Sequence, residues 1–327
     1  MKKRMLGIFL TLSMVLSCLS FSASAASGTV YESESNDTYA FGTQTYNDYN
    51  SYGSIASTSD VDWWKISFDR TDTVRFYLGN IPSNCQYKIS LYGSDGATRI
   101  TSRSSDGASS VHFYYYVTAY QTYYLKIEYV SGTLSTTQYI LNGKKFPTHH
   151  ISTVPLYTQE TDNTCGCASA RMILANFGIY QAESDIKYTA DSIAEDPANY
   201  TYVYAVSGAI NYYMNTVSNL IVRYKYTDVS QYSLDDYQDL VAKNITLNCP
   251  VLPLLKVNNT TYFPYTTNGH YVVIKGITFD ESTEYYTSVV NDPHNNYSGT
   301  YYVPLSSIYD YTKAHNSGGY VIYAYDY

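Results

Sequence analysis

The chain has 327 residues, with 20 basic and 28 acidic side chains and a formal net charge of −8. This balance argues against a nucleic-acid partner, because binding to nucleic acid depends on clustered Lys and Arg. The length suits two domains better than one, and only 5 cysteines exclude a dense disulfide scaffold. Tyrosine accounts for 42 residues, and it favours half-buried strands because its body is apolar and its tip is polar.

The N-terminus has the pattern of a secretory signal peptide, residues 1–25. A basic start, Met1–Arg4, precedes an apolar stretch too short to span a bilayer, and residues 23–25 form an A-x-A cleavage site. We therefore predict cleavage after Ala25 and a soluble protein secreted from the cell. The alternative is a lipoprotein signal cleaved before Cys18, which fits the residues before that cysteine less well. No later segment is apolar over enough residues to form a membrane span.

Residues 29–143 show the alternation of short β-strands separated by turns. Asp-Gly and Ser-Gly pairs mark several of the turns. Alternating apolar and polar side chains occur in four segments, residues 61–68, 73–78, 87–92 and 123–129. Short strands at regular spacing predict an N-terminal all-β sandwich. Residues 144–150 follow with the composition of a linker.

From residue 151 the pattern changes to helices followed by strands. Helical spacing of apolar residues predicts three helices, at 163–177, 205–214 and 233–244. Gly178 follows the first of them in the position of a C′ glycine. Continuous apolar runs predict five strands, at 250–255, 271–274, 286–290, 300–303 and 319–323. This order predicts a C-terminal α+β domain, residues 151–327, with an antiparallel sheet.

One cysteine stands where a nucleophile can be activated. Cys165 begins the first predicted helix, where unpaired N–H groups and the helix dipole favour the reactive thiolate. His270 follows Gly269 and precedes an apolar strand, so it is the candidate base. Asp292 ends another apolar strand, and we expect it to accept the Nδ1 proton of that imidazole and fix its tautomer. Gln159, six residues before the cysteine, has amide hydrogens that can hold a developing oxyanion.

Each of these residues also has an ordinary structural explanation. A lone cysteine usually packs in a core, and Asp-Pro often begins a turn. Their combination in one predicted domain favours a catalytic Cys–His–Asp triad. Cys167 lies on another face of the helix and is expected to pack. We expect His294 in a solvated turn, with the rim of the site as the alternative, and Asn291 is the alternative to Asp292 as the orienting group.

Five segments of the second domain form one pattern: residues 154–159 (VPLYTQ), 165–169 (CGCAS), 176–178 (NFG), 269–274 (GHYVVI) and 291–293 (NDP). The pattern resembles the C39-like branch of the papain-like cysteine peptidases, over residues 151–327. The resemblance implies a papain-like α+β fold in which Cys165 is the nucleophile and His270 the base. It also implies that Asp292 orients the base, that Gln159 is the oxyanion donor, and that catalysis requires no cofactor. Cys167 departs from the pattern, which has proline there.

Two segments of the first domain, residues 32–40 (ESESNDTYA) and 59–64 (SDVDWW), are similar to bacterial pre-peptidase C-terminal domains. Some relatives bind calcium through such an acidic stretch. The resemblance therefore implies a structural Ca²⁺, since carboxylate and amide oxygens are its preferred ligands. The candidate ligands are Glu32, Glu34, Asn36, Asp37, Asp60 and Asp62. The alternative is a solvated acidic segment with turn-forming Asn-Asp.

These features predict a secreted cysteine peptidase whose partner is a peptide or protein substrate. Two alternatives remain open. The same triad is suited to a cell-wall peptide amidase or transpeptidase. If the triad is inert, the chain is an extracellular binding protein that holds cell-wall or matrix polymer through its N-terminal domain.

Overall fold

The computed structural model describes residues 28–194, 202–216, 220–315 and 318–325. The predicted signal peptide, with Cys18 and Ala25, lies outside these ranges. Within them the protein is rich in sheet, with four sheets and five α-helices. None of the helices in this part of the chain is long and apolar enough to cross a membrane.

The first 119 or so described residues form ten strands in two sheets, with one short 3₁₀ turn at Tyr39–Phe41. The strands are Thr29–Tyr31 (β1), Thr43–Gln44 (β2), Asn50–Gly53 (β3), Val61–Ser67 (β4), Asp72–Gly79 (β5), Cys85–Tyr92 (β6), Arg99–Ser104 (β7), Val111–Val117 (β8), Thr122–Gly132 (β9) and Tyr139–Phe146 (β10). One sheet has the order β1-β3-β10-β5-β8 and the other β2-β4-β9-β6-β7.

A single apolar core lies between these two sheets. Alternate side chains of each strand point inward, such as Trp64 on β4 and Phe76 on β5, and both are fully buried. A hydrogen-bonded chain also links the sheets. The Trp64 indole N–H donates to the Tyr139 hydroxyl at 2.8 Å, and that hydroxyl donates to Asp62 at 2.5 Å.

The remaining strands and all five helices belong to the second half of the chain. The strands are His149–His150 (β11), Arg223–Asp228 (β12), Leu252–Asn258 (β13), Thr266–Tyr271 (β14), Val273–Asp280 (β15), Tyr285–Asp292 (β16), Gly299–Pro304 (β17) and Tyr320–Tyr325 (β18). The helices are Cys165–Asn176 (α1), Glu183–Ile193 (α2), Val203–Met214 (α3), Leu234–Thr246 (α4) and Leu305–Lys313 (α5).

The strands of this half form two antiparallel four-stranded sheets, β11-β15-β16-β17 and β12-β18-β13-β14. A single bridge between Val251 and Ile274 joins them. The prediction of one antiparallel sheet was therefore too simple. The split lies at Val272, where β14 ends and β15 begins. It places the end of β14 and the end of β16 in different sheets.

The three predicted helices are confirmed as α1, α3 and α4. Gly178, just after α1, has φ +75°. Residues with a side chain rarely adopt this left-handed conformation, so glycine is favoured here. Ser233 begins α4 with a capping box, in which its hydroxyl accepts the N–H of Asp236 and its own N–H donates to the Asp236 carboxylate. Helices α2 and α5 and strand β12 were not predicted.

The segment predicted as a linker, residues 144–150, is built into both halves. All but Pro147 and Thr148 lie in strands, because β10 continues to Phe146 and β11 pairs with β15. The Phe146 ring packs against Phe279 of β15 with centroids 4.5 Å apart. A salt bridge of 2.8 Å between Lys144 and Asp239 adds a polar contact between the halves.

Candidate active site

Cys165 is the first residue of α1 and lines a cleft of about 970 Å³. Its side chain is partly exposed, whereas Cys167, two residues later, is 1% exposed and packs in the core. The cleft is also lined by Gln159, His270 and His294. The start of α1 therefore presents one thiol to a space large enough for a peptide.

His270 and Asp292 approach from the ends of two strands. His270 is the penultimate residue of β14, Asp292 is the last residue of β16, and both are buried. His270 Nε2 lies 2.7 Å from Asp292 Oδ1. The Cys165 thiol hydrogen-bonds the same imidazole, on the ring nitrogen that Asp292 leaves open.

The predicted Nδ1 contact between His270 and Asp292 is therefore wrong, since the contact uses Nε2. The reason is geometric. Asp292 comes from the neighbouring sheet, while Cys165 lies at a helix start, and the ring of His270 spans the gap with its far nitrogen toward the acid. Which ring edge meets the carboxylate depends on this packing, and the sequence does not specify it.

Asp292 is held by donors on both of its oxygens. Oδ1 accepts the main-chain N–H of His294 at 2.8 Å in addition to the contact with His270. Oδ2 accepts the hydroxyl of Tyr265 at 2.6 Å. Asn291 points to the other side, where its amide donates to the Pro155 carbonyl at 2.9 Å. The carboxylate thus has a fixed orientation toward the imidazole, and Asn291 does not take its place.

The electrostatics of the site favour a charged thiolate–imidazolium pair. Burial alone would raise the pKa of the Cys165 thiol, but the hydrogen bond and positive charge of His270 outweigh it, so this pKa lies below its usual value. Burial alone would lower the pKa of His270, but the contacts with Asp292 and Cys165 raise it to about 9. The main-chain N–H groups of Tyr271 and Gly166 also donate to the sulfur.

Gln159 lies in the loop that precedes α1, and its side chain is almost fully buried. Its main-chain N–H donates to the Pro293 carbonyl at 2.8 Å, which ties this loop to the end of β16. Its amide nitrogen donates to the Thr161 carbonyl at 3.0 Å. One amide hydrogen is used in this contact, and the second is available to a group in the cleft.

Two aromatic residues complete the surroundings of the imidazole. His294 lies at the rim of the cleft, half-buried, with its ring 5.6 Å from that of His270. His294 also begins the turn that we expected, since its carbonyl accepts the N–H of Tyr297 at 3.0 Å, so both placements describe it in part. The Tyr265 ring packs against that of His294, with centroids 4.2 Å apart and the planes tilted by 30°. Sequence analysis missed Tyr265, because a single tyrosine has no signal in a chain with 42 of them.

The acidic segment of the first domain brings together three of its six candidate ligands. Carboxylate oxygens of Glu32, Glu34 and Asp62 lie within 4.8 Å of one another. Asn36 is fully buried, and its amide oxygen and nitrogen have no hydrogen-bond partner among the described residues. The other two candidates lie outside this group: Asp37 is exposed, and Asp60 accepts the N–H of Ala56 at 2.5 Å.

Residues 151–319 match the model of the Peptidase_C39 like family. The comparison with curated proteins gave no match. Among solved structures, the chain is similar to the peptidase domain of Streptococcus ComA, a bi-functional ABC transporter involved in a quorum sensing pathway. The identity is 14% and the TM-score 0.33, over 53% of this chain and 99% of that one.

Two further solved structures are similar to parts of the chain. The pre-peptidase C-terminal domain of a Bacillus anthracis collagenase is 13% identical with a TM-score of 0.26, over 32% of this chain and 94% of that one. UfSP from C. elegans is 15% identical with a TM-score of 0.32, over 52% of this chain and 32% of that one. With TM-scores under 0.5, these likenesses decide neither fold nor function.

We expect iodoacetamide to alkylate Cys165 rapidly at pH 7, because the imidazolium keeps the thiol ionised below the usual thiol pKa of about 8.5. His270→Ala removes the largest effect that opposes burial and leaves only the main-chain N–H groups of Tyr271 and Gly166, so the alkylation rate at pH 7 should fall at least about tenfold. The measurement is the rate of labelling, located on the chain by peptide mass spectrometry.

Buried Cys167 is the internal control and should stay unlabelled in both proteins. Equal alkylation rates in wild type and His270→Ala would contradict the ion pair.

The pKa of His270, about 9, also determines the pH above which the rate of any reaction that needs its proton declines. Because a raised histidine pKa keeps the ring charged until the pH passes that value, peptide hydrolysis should decline above about pH 9 while alkylation persists.

Proposed function

Because the chain belongs to the Peptidase_C39 like family, we propose that it is a secreted cysteine peptidase that cleaves peptide bonds with Cys165, His270 and Asp292. The observation that carries this proposal is the arrangement around one imidazole. His270 contacts the thiol of Cys165 on one side and the buried carboxylate of Asp292 on the other. This is the arrangement that a thiolate nucleophile and its general acid require.

The reaction begins when the Cys165 thiolate attacks the carbonyl carbon of a bound peptide. The oxyanion that forms receives hydrogen bonds from the Gln159 amide and from the main-chain N–H of Cys165, which has no acceptor inside the helix because it stands at the first position. His270 gives its proton to the leaving amine. Water then attacks the thioester, with His270 as the base, and releases the acyl group.

The first domain is proposed to be an accessory module. Residues 29–143 would form a β-sandwich of the pre-peptidase C-terminal type, and residues 144–150 would connect it to the peptidase domain at 151–327. Residues 1–25 would be removed as a signal peptide during secretion. The two sheets of this half and the core between them support the proposal.

We expect Cys165→Ala to lower the hydrolysis of fluorescently labelled casein by at least about 10³-fold, because loss of a nucleophile typically costs this much or more. Cys167→Ala is the matched control, since this residue lies in the same helix but packs in the core, and it should retain hydrolysis. Casein cleavage that persists in purified Cys165→Ala would rule out the assignment of the nucleophile.

We also infer a divalent-cation site, suited to Ca²⁺, in the first domain. Glu32, Glu34 and Asp62 supply hard oxygen ligands, and buried Asn36 has an unpartnered amide oxygen beside the same segment. Burial and the nearby Glu32 raise the pKa of Asp62 to about 9, because the two carboxylates repel each other. The cation would stabilise this domain and take no part in peptide cleavage.

We expect CaCl₂ to raise the Tm of the wild-type protein by several degrees, since a cation that binds only the folded state at about 100 times its Kd adds roughly 2.7 kcal/mol. Glu34→Gln should lose this gain, because it removes one charged ligand. Asp37→Asn, at an exposed acid outside the cluster, is the control and should keep it. A wild-type Tm that is the same in CaCl₂ and in EDTA would contradict the proposed cation site.

A further inference from the structure

A buried carboxylate that takes no part in the proposed mechanism lies behind the active-site loop. Glu183 is the first residue of α2 and is 1% exposed. Its Oε1 accepts the main-chain N–H of Glu160 at 3.0 Å. Burial raises the pKa of this carboxyl, and the hydroxyl of Thr164 and the N–H of Glu160 partly offset that effect. The side chain therefore hydrogen-bonds the loop, residues 159–164, at Glu160, while its Oε2 has no hydrogen-bond partner among the described residues.

Glu183 contacts the loop close to the proposed oxyanion donors. The N–H that it accepts belongs to the peptide unit directly after Gln159. Thr164 directly precedes Cys165, whose main-chain N–H is the second proposed donor. Glu183 thus hydrogen-bonds the loop at the residue that directly follows Gln159.

The same loop is also held by other hydrogen bonds. The N–H of Gln159 donates to the Pro293 carbonyl, and its amide donates to Thr161. Thr164 hydrogen-bonds Thr161 through both its hydroxyl and its N–H. The bond from the N–H of Glu160 to Glu183 is part-buried and joins this loop to α2.

The nearest charges make Glu183 an unusual choice for simple packing. The carboxylate of Glu160 raises its pKa, and Arg171 opposes this only in part. The guanidinium of Arg171 lies 4.3 Å from the Tyr157 ring centroid and 3.8 Å from the carboxylate of Glu160. A buried carboxyl costs free energy unless donors compensate it. Only Oε1 of Glu183 has a donor among the described residues, and that donor is the loop N–H of Glu160.

We propose that Glu183 is a positioning residue that holds loop 159–164 so that the Gln159 amide meets the oxyanion. The inference rests on the proposed peptidase function. Glu183 does not line the cleft, so it acts through the loop rather than on the substrate. A displacement of a donor by about 1 Å is enough to slow a reaction by about 10²-fold.

Two reagents separate this role from that of the triad. When p-nitrophenyl acetate acylates Cys165, the sulfur bonds the acetyl carbon, the carbonyl oxygen carries the negative charge, and p-nitrophenolate leaves with the electron pair of the C–O bond. When iodoacetamide alkylates Cys165, the sulfur displaces iodide and no oxyanion forms. Both reactions need the thiolate, but only acylation needs the Gln159 donor.

We expect Glu183→Met, which keeps the volume and removes the acceptor, to slow acylation about 10- to 100-fold while alkylation stays within about twofold of wild type. Glu183→Gln keeps an oxygen for the N–H of Glu160 and should restore acylation to within about threefold of wild type. In a Gln159→Ala background, Glu183→Met should slow acylation no further, because the donor that it positions is gone.

The matched control is Asp185→Met, at an exposed acid in the same first turn of α2, which should leave both rates unchanged. The positioning role is overturned if Glu183→Met slows both reactions equally, slows neither, or adds to the effect of Gln159→Ala. Wild-type protein that reacts with neither reagent would instead overturn the peptidase function on which the role rests.

Discussion

The buried contact between His270 and Asp292 is the constraint on which the rest of the site depends. A carboxylate that is fully buried is stable only when donors surround it, and Asp292 has three, from His270, Tyr265 and the N–H of His294. This contact keeps the imidazole charged, and the charged imidazole lowers the pKa of the Cys165 thiol. The reactive form of the sulfur therefore originates in a carboxylate that never touches it.

This contact also joins the two sheets of the second half. β14 carries His270 in one sheet and β16 carries Asp292 in the other, so the two residues meet across the junction at Val272. Helix α1 places Cys165, in its first turn, against the imidazole of His270. Because α1, β14 and β16 belong to separate layers, their packing fixes the geometry of the site more firmly than one flexible loop would.

Much of this arrangement can be predicted from the sequence, and the parts that cannot have physical reasons. The start of α1 and its end at Gly178 follow from local chemistry, as does the capping box of α4. Helix α2 is rich in Ser, Thr, Asp and β-branched Ile, which have low helix propensity, so packing decides it. The ring nitrogen that faces Asp292 depends on the junction between sheets. Glu183 looks like an ordinary acid in a first helical turn, and only the fold shows that it faces another loop.

The central claim is that His270 is an imidazolium because it lies between a thiolate and a buried carboxylate. The most direct test is ¹⁵N NMR of the His270 ring across a pH titration, in wild type and in Cys165→Ala. The wild-type ring should carry protons on both nitrogens at neutral pH and lose one near its pKa of about 9, and this pKa should fall in Cys165→Ala. A neutral wild-type ring at pH 7, or a titration that the Cys165→Ala variant does not change, would contradict the account.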